Sequence, residues 1–123
     1  MIDPFWALVI ALAGGVGAVC RLWLGQYKGK LPWGTLIANL VAGLVLGIAM
    51  GLQNNGLASN FATAVLFVGF AGGLSTFSGV AAETGELIRQ RHWGRATANL
   101  GANLVLPVLT VWVPVLVLTL LIN

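Results

Sequence analysis

Charge is confined to narrow bands of this sequence. Residues 4–20, 31–82 and 96–123 contain no Asp, Glu, Lys or Arg. Crossing about 30 Å of hydrocarbon takes about 20 mostly apolar residues in a helix. The first run, with a few flanking residues, makes one span at about 4–26. The middle run is too long for one span and divides at QNNGLASN (53–60), where Gly, Asn and Ser make a turn. That gives spans at about 32–52 and 60–88, and the last run gives a fourth at about 94–121. The expected fold is an all-α membrane protein, a single transmembrane unit over 1–123 with four helices.

Composition agrees, with 59% hydrophobic and 7% charged residues where a soluble domain carries about 25% charged. The formal net charge of +3 is too scattered for a basic patch, so no nucleic-acid partner is expected. The single Cys20 cannot form an internal disulfide. The first apolar run lacks a basic leading region and a small-residue cleavage pattern, and is read as a retained helix rather than a signal peptide.

All six Lys and Arg fall between spans one and two (Arg21, Lys28, Lys30) or between three and four (Arg89, Arg91, Arg95). Those two connections share one side, which the positive-inside rule puts in the cytoplasm with both termini outside. Trp6, Trp23, Trp33 and Trp93 fall near span ends, as an aromatic belt requires. So small a chain has little interior, which favours oligomerisation. Its 17 glycines, Gly43 and Gly47 among them, favour close helix contacts.

Polar residues at bilayer depth come in helical pairs. Thr35 and Asn39 share a face of span two, and Asn99 and Asn103 a face of span four. Phe77 and Val80 are three apart and are expected to share a face. Such residues serve either as interhelical glue or as the lining of a pathway; stripes on several helices favour the pathway. The stretch GFAGGLSTFSG (69–79) is sharper. Gly72 and Gly73 weaken a helix, and Ser75, Thr76 and Ser78 bond local backbone in competition with it. Unwound backbone survives at membrane depth only inside protein or along a polar cavity. Its freed carbonyls are hard oxygen ligands suited to sodium; the alternative is a plain kink relieved by neighbouring helices.

With these motifs the chain resembles the Fluc (CrcB-type) fluoride channels of bacteria along nearly its whole length. GGVGAVCR (14–21) is similar to the family's glycine-rich first span ending in arginine. WGTLIANLVAG (33–43) is similar to its second-span signature, and GFAGGLSTFSGVAAE (69–83) to its GF-x-GG-x-T-T-F-S-T-F-S-x-E hallmark. The resemblance implies a passive, fluoride-selective channel in the bacterial inner membrane that lowers cytoplasmic fluoride. It implies an antiparallel dimer of four-span subunits with the third helix broken, two pores, and a central structural sodium ion (Na+). Position by position it puts Na+ at Gly72 and Ser75, the pore asparagine at Asn39, a pore phenylalanine at Phe77, and a vestibule arginine at Arg21. Thr35, Asn99 and Asn103 fall along its polar track, and Glu83 on a glutamate near the pore mouth.

Two departures stand out. The hallmark's second phenylalanine is Val80 here, preceded by Gly79, and the basic residues lie on one side only. A subunit with so one-sided a charge should insert one way, so its partner is either a second copy of itself or an oppositely oriented homologue that supplies the missing aromatic. The alternative function is a small proton-coupled multidrug exporter of the four-span kind. That chemistry needs a titratable carboxylate midway along a span, whereas Asp3 is at an edge and Glu83 lies late in span three. A non-transporting scaffold would need neither the break nor the polar stripes.

Overall fold

The computed structural model describes residues 3–123 and is all-helical among them. Helix α1 (Pro4–Leu24) is followed by α2 (Trp33–Asn54) and α3 (Asn60–Ala64). The chain then widens into π-helical turns over Val65–Ala71, tightens again in α4 (Gly72–Leu74), and restarts after a break as α5 (Phe77–Arg89). Helix α6 (Trp93–Ile122) closes the chain. Four segments, Pro4–Leu24, Trp33–Asn54, Asn60–Arg89 and Trp93–Ile122, are long and apolar enough to cross a membrane.

Local chemistry sets the ends. Pro4 sits in the first turn of α1, where its missing N–H costs nothing, and the Asp3 carboxylate accepts the Phe5 N–H at 2.8 Å. Helix α2 ends in a turn through Gly56, whose φ of 73° favours glycine. Ser59 then caps α3 by accepting the Ala62 N–H at 3.1 Å. Helix α6 continues through Pro107 and Pro114, as membrane helices can when neighbours re-satisfy the freed groups.

The helices are held together at glycines. On α2, Gly43, Gly47 and Gly51 recur every four residues and face α6. A Cβ at Gly43 would meet the Pro107 carbonyl, one at Gly47 the Val111 carbonyl, and one at Gly51 the Leu118 side chain. Helix α1 is seated on the third span in the same way. A Cβ at Gly17 would meet the Phe70 carbonyl, one at Gly69 the Ile10 carbonyl, and one at Gly73 the Gly14 backbone. Contacts of this closeness replace the hydrophobic driving force that lipid removes. Between them lies a small core of Ala38, Ala42, Ala71 and Leu74, with Cys20, Leu24, Val45 and Phe70 packed against it. Phe5, Leu8, Leu12, Val16 and Val19 of α1 are exposed along one helical stripe, an apolar face suited to lipid.

The break falls later than the glycines. Gly72 and Gly73 keep helical geometry, and the chain turns extended at Ser75 (φ −75°, ψ 150°) and Thr76 (φ −151°, ψ 126°). Gly73 serves the close approach to α1. What opens the helix is competition for the amides that follow.

Candidate functional site

Asn39 of α2 holds the break open. Its side-chain oxygen accepts the Thr76 N–H at 2.8 Å, while its Nδ2 donates to the Thr76 carbonyl at 3.2 Å and to Asn103 Oδ1 at 2.9 Å. In a continuous helix the Thr76 N–H would bond the Gly72 carbonyl. Three residues on, the Gly79 N–H bonds the Thr76 hydroxyl at 3.0 Å, whereas a continuous helix would send it to the Ser75 carbonyl. The amides that would satisfy Gly72 and Ser75 are therefore both diverted by side chains. Gly72 and Ser75 are exposed and line the same cavity. A Cβ at Gly72 would meet nothing of this chain closer than 3.7 Å. Two carbonyl oxygens without their helical donors, on residues that line one cavity, fit a hard cation. Among the described residues no group of three or more His, Cys, Asp or Glu is placed to hold a metal.

A polar chain crosses the helices from there. Asn103 Nδ2 donates to the Asn99 carbonyl at 2.8 Å and to Asn99 Oδ1 at 3.2 Å, and Asn99 Nδ2 donates to the Thr84 hydroxyl at 3.0 Å. Thr35, one turn before Asn39, donates its hydroxyl to Glu83 Oε1 at 2.7 Å. The Thr76 and Ser78 hydroxyls lie 3.2 Å apart. Helices α2, α5 and α6 are thus joined by bonds among the polar residues at bilayer depth.

Two cavities meet at this chain. A groove of about 420 Å³ is lined by Asn39, Gly72, Ser75, Phe77, Val80 and Asn103, with Thr76 at its edge. A vestibule of about 660 Å³ is lined by Arg21, Lys28, Thr35, Thr76 and Ser78. Thr76, in the unwound stretch, lines both. Phe77 and Val80 both line the groove, as expected of a shared face, but are covered to different degrees. Phe77 stands at the start of α5 with 67% of its surface exposed, whereas Val80 is 1% exposed and covered by its own chain. Asn99 is buried and connects to the groove through Asn103.

The residues that sequence spacing did not single out are Thr84, which satisfies Asn99, and Thr76 as the residue that both cavities share. Nothing in the periodicity of α5 marks Thr84, because its partner is on another helix.

The fold and site define a class: a small four-span helical membrane protein with a broken third span whose break is held by polar side chains. Residues 8–115 match the model of the CrcB-like protein family, described as Camphor Resistance (CrcB), and the chain belongs to that family. Proteins named fluoride-specific ion channel FluC are among its relatives. The one from Opitutus terrae is 34% identical, with 85% of this chain and 86% of the relative covered. The one from Thermococcus onnurineus is 37% identical, covering 87% and 90%, and that from Pyrococcus furiosus is 37% identical, covering 85% and 88%.

Proposed function

We propose that this chain is one subunit of a fluoride-selective passive channel that exports fluoride and lowers its cytoplasmic level. The observation that carries the reading is at Thr76. A vestibule whose charged lining residues are Arg21 and Lys28 and a largely apolar groove that carries Asn39 and Asn103 share Thr76, where the third span is unwound. The relatives named as fluoride-specific channels support the choice of ion.

Fluoride is small and strongly hydrated, so a pore must replace water with several modest donors rather than one tight site. The Thr76 and Ser78 hydroxyls border the vestibule, and Phe77 lines the groove. Phe77 can present its ring edge, the positive rim of the aromatic quadrupole, to an anion. Asn39 spends its N–H groups on Thr76 and Asn103, so its part is to hold the path in shape. Asn99 and Asn103 continue the polar track, and Thr35 anchors Glu83 beside the mouth.

The functional unit is an antiparallel dimer with two pores in the bacterial inner membrane. The groove is open on one side of the single chain, and a second subunit would complete it. A structural sodium ion would be held at the dimer centre by the Gly72 and Ser75 carbonyl oxygens; when bound it supplies a fixed positive charge that ties the two breaks together. The basic side of the chain faces the cytoplasm. The partner is either a second copy or an oppositely oriented homologue, which would supply the aromatic ring absent at Val80. Expression in bacteria stripped of their own fluoride export tests the reading. Growth in fluoride that depends on this chain, alone or with such a homologue, supports it; no protection from well-expressed protein in either setting refutes it.

A further inference from the structure

Lys28 lines two cavities, one whose charged residues are all cationic and one that also holds carboxylates. In the vestibule the charged lining residues are Arg21 and Lys28, both cationic. A second cavity of about 340 Å³ is lined by Lys28, Lys30, Glu83 and Glu86. Glu86 is already engaged by Arg89 and Gln90. Glu83 is half satisfied: Oε1 accepts from Thr35, and Oε2 is buried with no hydrogen-bond partner. A buried carboxylate oxygen without a donor is costly and attracts a cation. Lys28 makes no ion pair among the described residues, and its ammonium is a point charge with three donors on a flexible four-carbon stem.

We propose that Lys28 is an anion-entry residue whose ammonium exchanges between the Glu83 carboxylate and a small anion in the vestibule. Turned to the vestibule, it raises the local anion concentration beside Thr76. Turned to the second cavity, it is drawn by the uncompensated Glu83 carboxylate and lets the anion go onward. Lys30 lines the Glu83 cavity and not the vestibule, so it lacks the second position and serves as the internal control. This inference rests on the reading of the protein as an anion channel.

The test compares fluoride efflux from liposomes carrying wild type, K28Q, K28R and K30Q, together with acylation of Lys28 and Lys30 in the purified protein and in E83Q. At about 0.01 M salt, where screening extends over about 30 Å, K28Q should lose about three- to tenfold in rate, as the loss of one charge from a steering field worth about tenfold or more. At about 1 M, where screening acts within about 3 Å, the loss should vanish. K28R should retain the rate and K30Q should change little. Lys28 should be acylated more slowly than Lys30 in wild type and speed up in E83Q while Lys30 does not. Equal rates for K28Q and wild type at low salt, or equal losses in K28Q and K30Q, would overturn the proposal. So would Lys28 acylation indifferent to E83Q. If the wild type passes no fluoride, the channel reading falls, and the acylation ratio still decides whether Lys28 pairs with Glu83.

Discussion

The side-chain amide of Asn39 bonds both ends of Thr76, accepting its N–H at 2.8 Å and donating to its carbonyl at 3.2 Å. One polar side chain on α2 thereby satisfies the two backbone groups that unwinding the third span exposes, where lipid offers no alternative partner. The break is a fixed feature of the fold.

Asn39→Ala should therefore do more than remove a pore-side amide. It leaves the Thr76 N–H and carbonyl and Asn103 Oδ1 without their partner. An unsatisfied buried polar group costs about 1–3 kcal/mol. Thermal unfolding in detergent should show a lower midpoint, and hydrogen exchange should show faster exchange at the Thr76 amide than in wild type. Unchanged exchange at Thr76 would mean that the amide does not hold the break.

Gly72 and Gly73 are adjacent, yet they should respond differently to alanine. A Cβ at Gly73 falls 2.8 Å from the Gly14 carbonyl carbon and 3.0 Å from its Cα, both backbone atoms. Overpacking of this kind costs about 1–3 kcal/mol, so Gly73→Ala should lower the stability of the subunit itself. Gly72→Ala finds open space within the chain and should leave the subunit's unfolding unchanged. Any loss of dimer in chemical crosslinking with Gly72→Ala would then locate a second subunit against this face.

The seam between α2 and α6 makes a parallel contrast. Gly47→Ala would drive a methyl group into the Val111 carbonyl, whereas Gly101, with nothing within 4 Å of its Cβ position, has room. Gly47→Ala should destabilise by about 1–3 kcal/mol. Gly101→Ala should be neutral or stabilising by up to about 1 kcal/mol through helix propensity. Unfolding by a titrated denaturing detergent reads both.

Thr84→Val keeps the shape of the side chain and removes the hydroxyl that Asn99 Nδ2 donates to at 3.0 Å. The stranded amide should cost about 1–3 kcal/mol, and Thr84→Ser should restore most of it. Equal stability of Val and Ser variants would show that Asn99 is satisfied elsewhere.

Much of this was written in the sequence, and the reasons for the remainder are physical. Uncharged runs bounded by Arg21 and Lys30, and by Glu83 and Arg95, announce four spans because lipid excludes charge regardless of packing. Asn39 and Asn103 were visible for the same reason: a polar residue in an apolar helix has to be doing something. What they bond was not visible. The bond of Asn39 to Thr76 spans 37 residues in sequence, and helical spacing relates only residues a turn or two apart. The glycines and the hydroxyl residues together pointed to a break near 72–76, and the chain opens at its end, at Ser75 and Thr76. Glycine signals both helix weakness and close packing, and Gly73 is there for the second reason. Phe77 and Val80 were expected on one face and both line the groove, but spacing could not say that Val80 is buried and Phe77 exposed. The π-helical turns over Val65–Ala71 left no trace in composition.

Fluoride efflux from liposomes holding the purified chain, followed by electrode with chloride as the control ion, tests the account most directly. The account predicts rapid fluoride loss with chloride retained, from this chain alone or with an oppositely oriented homologue. Folded protein that releases no fluoride in either setting, or that releases chloride equally, would contradict it.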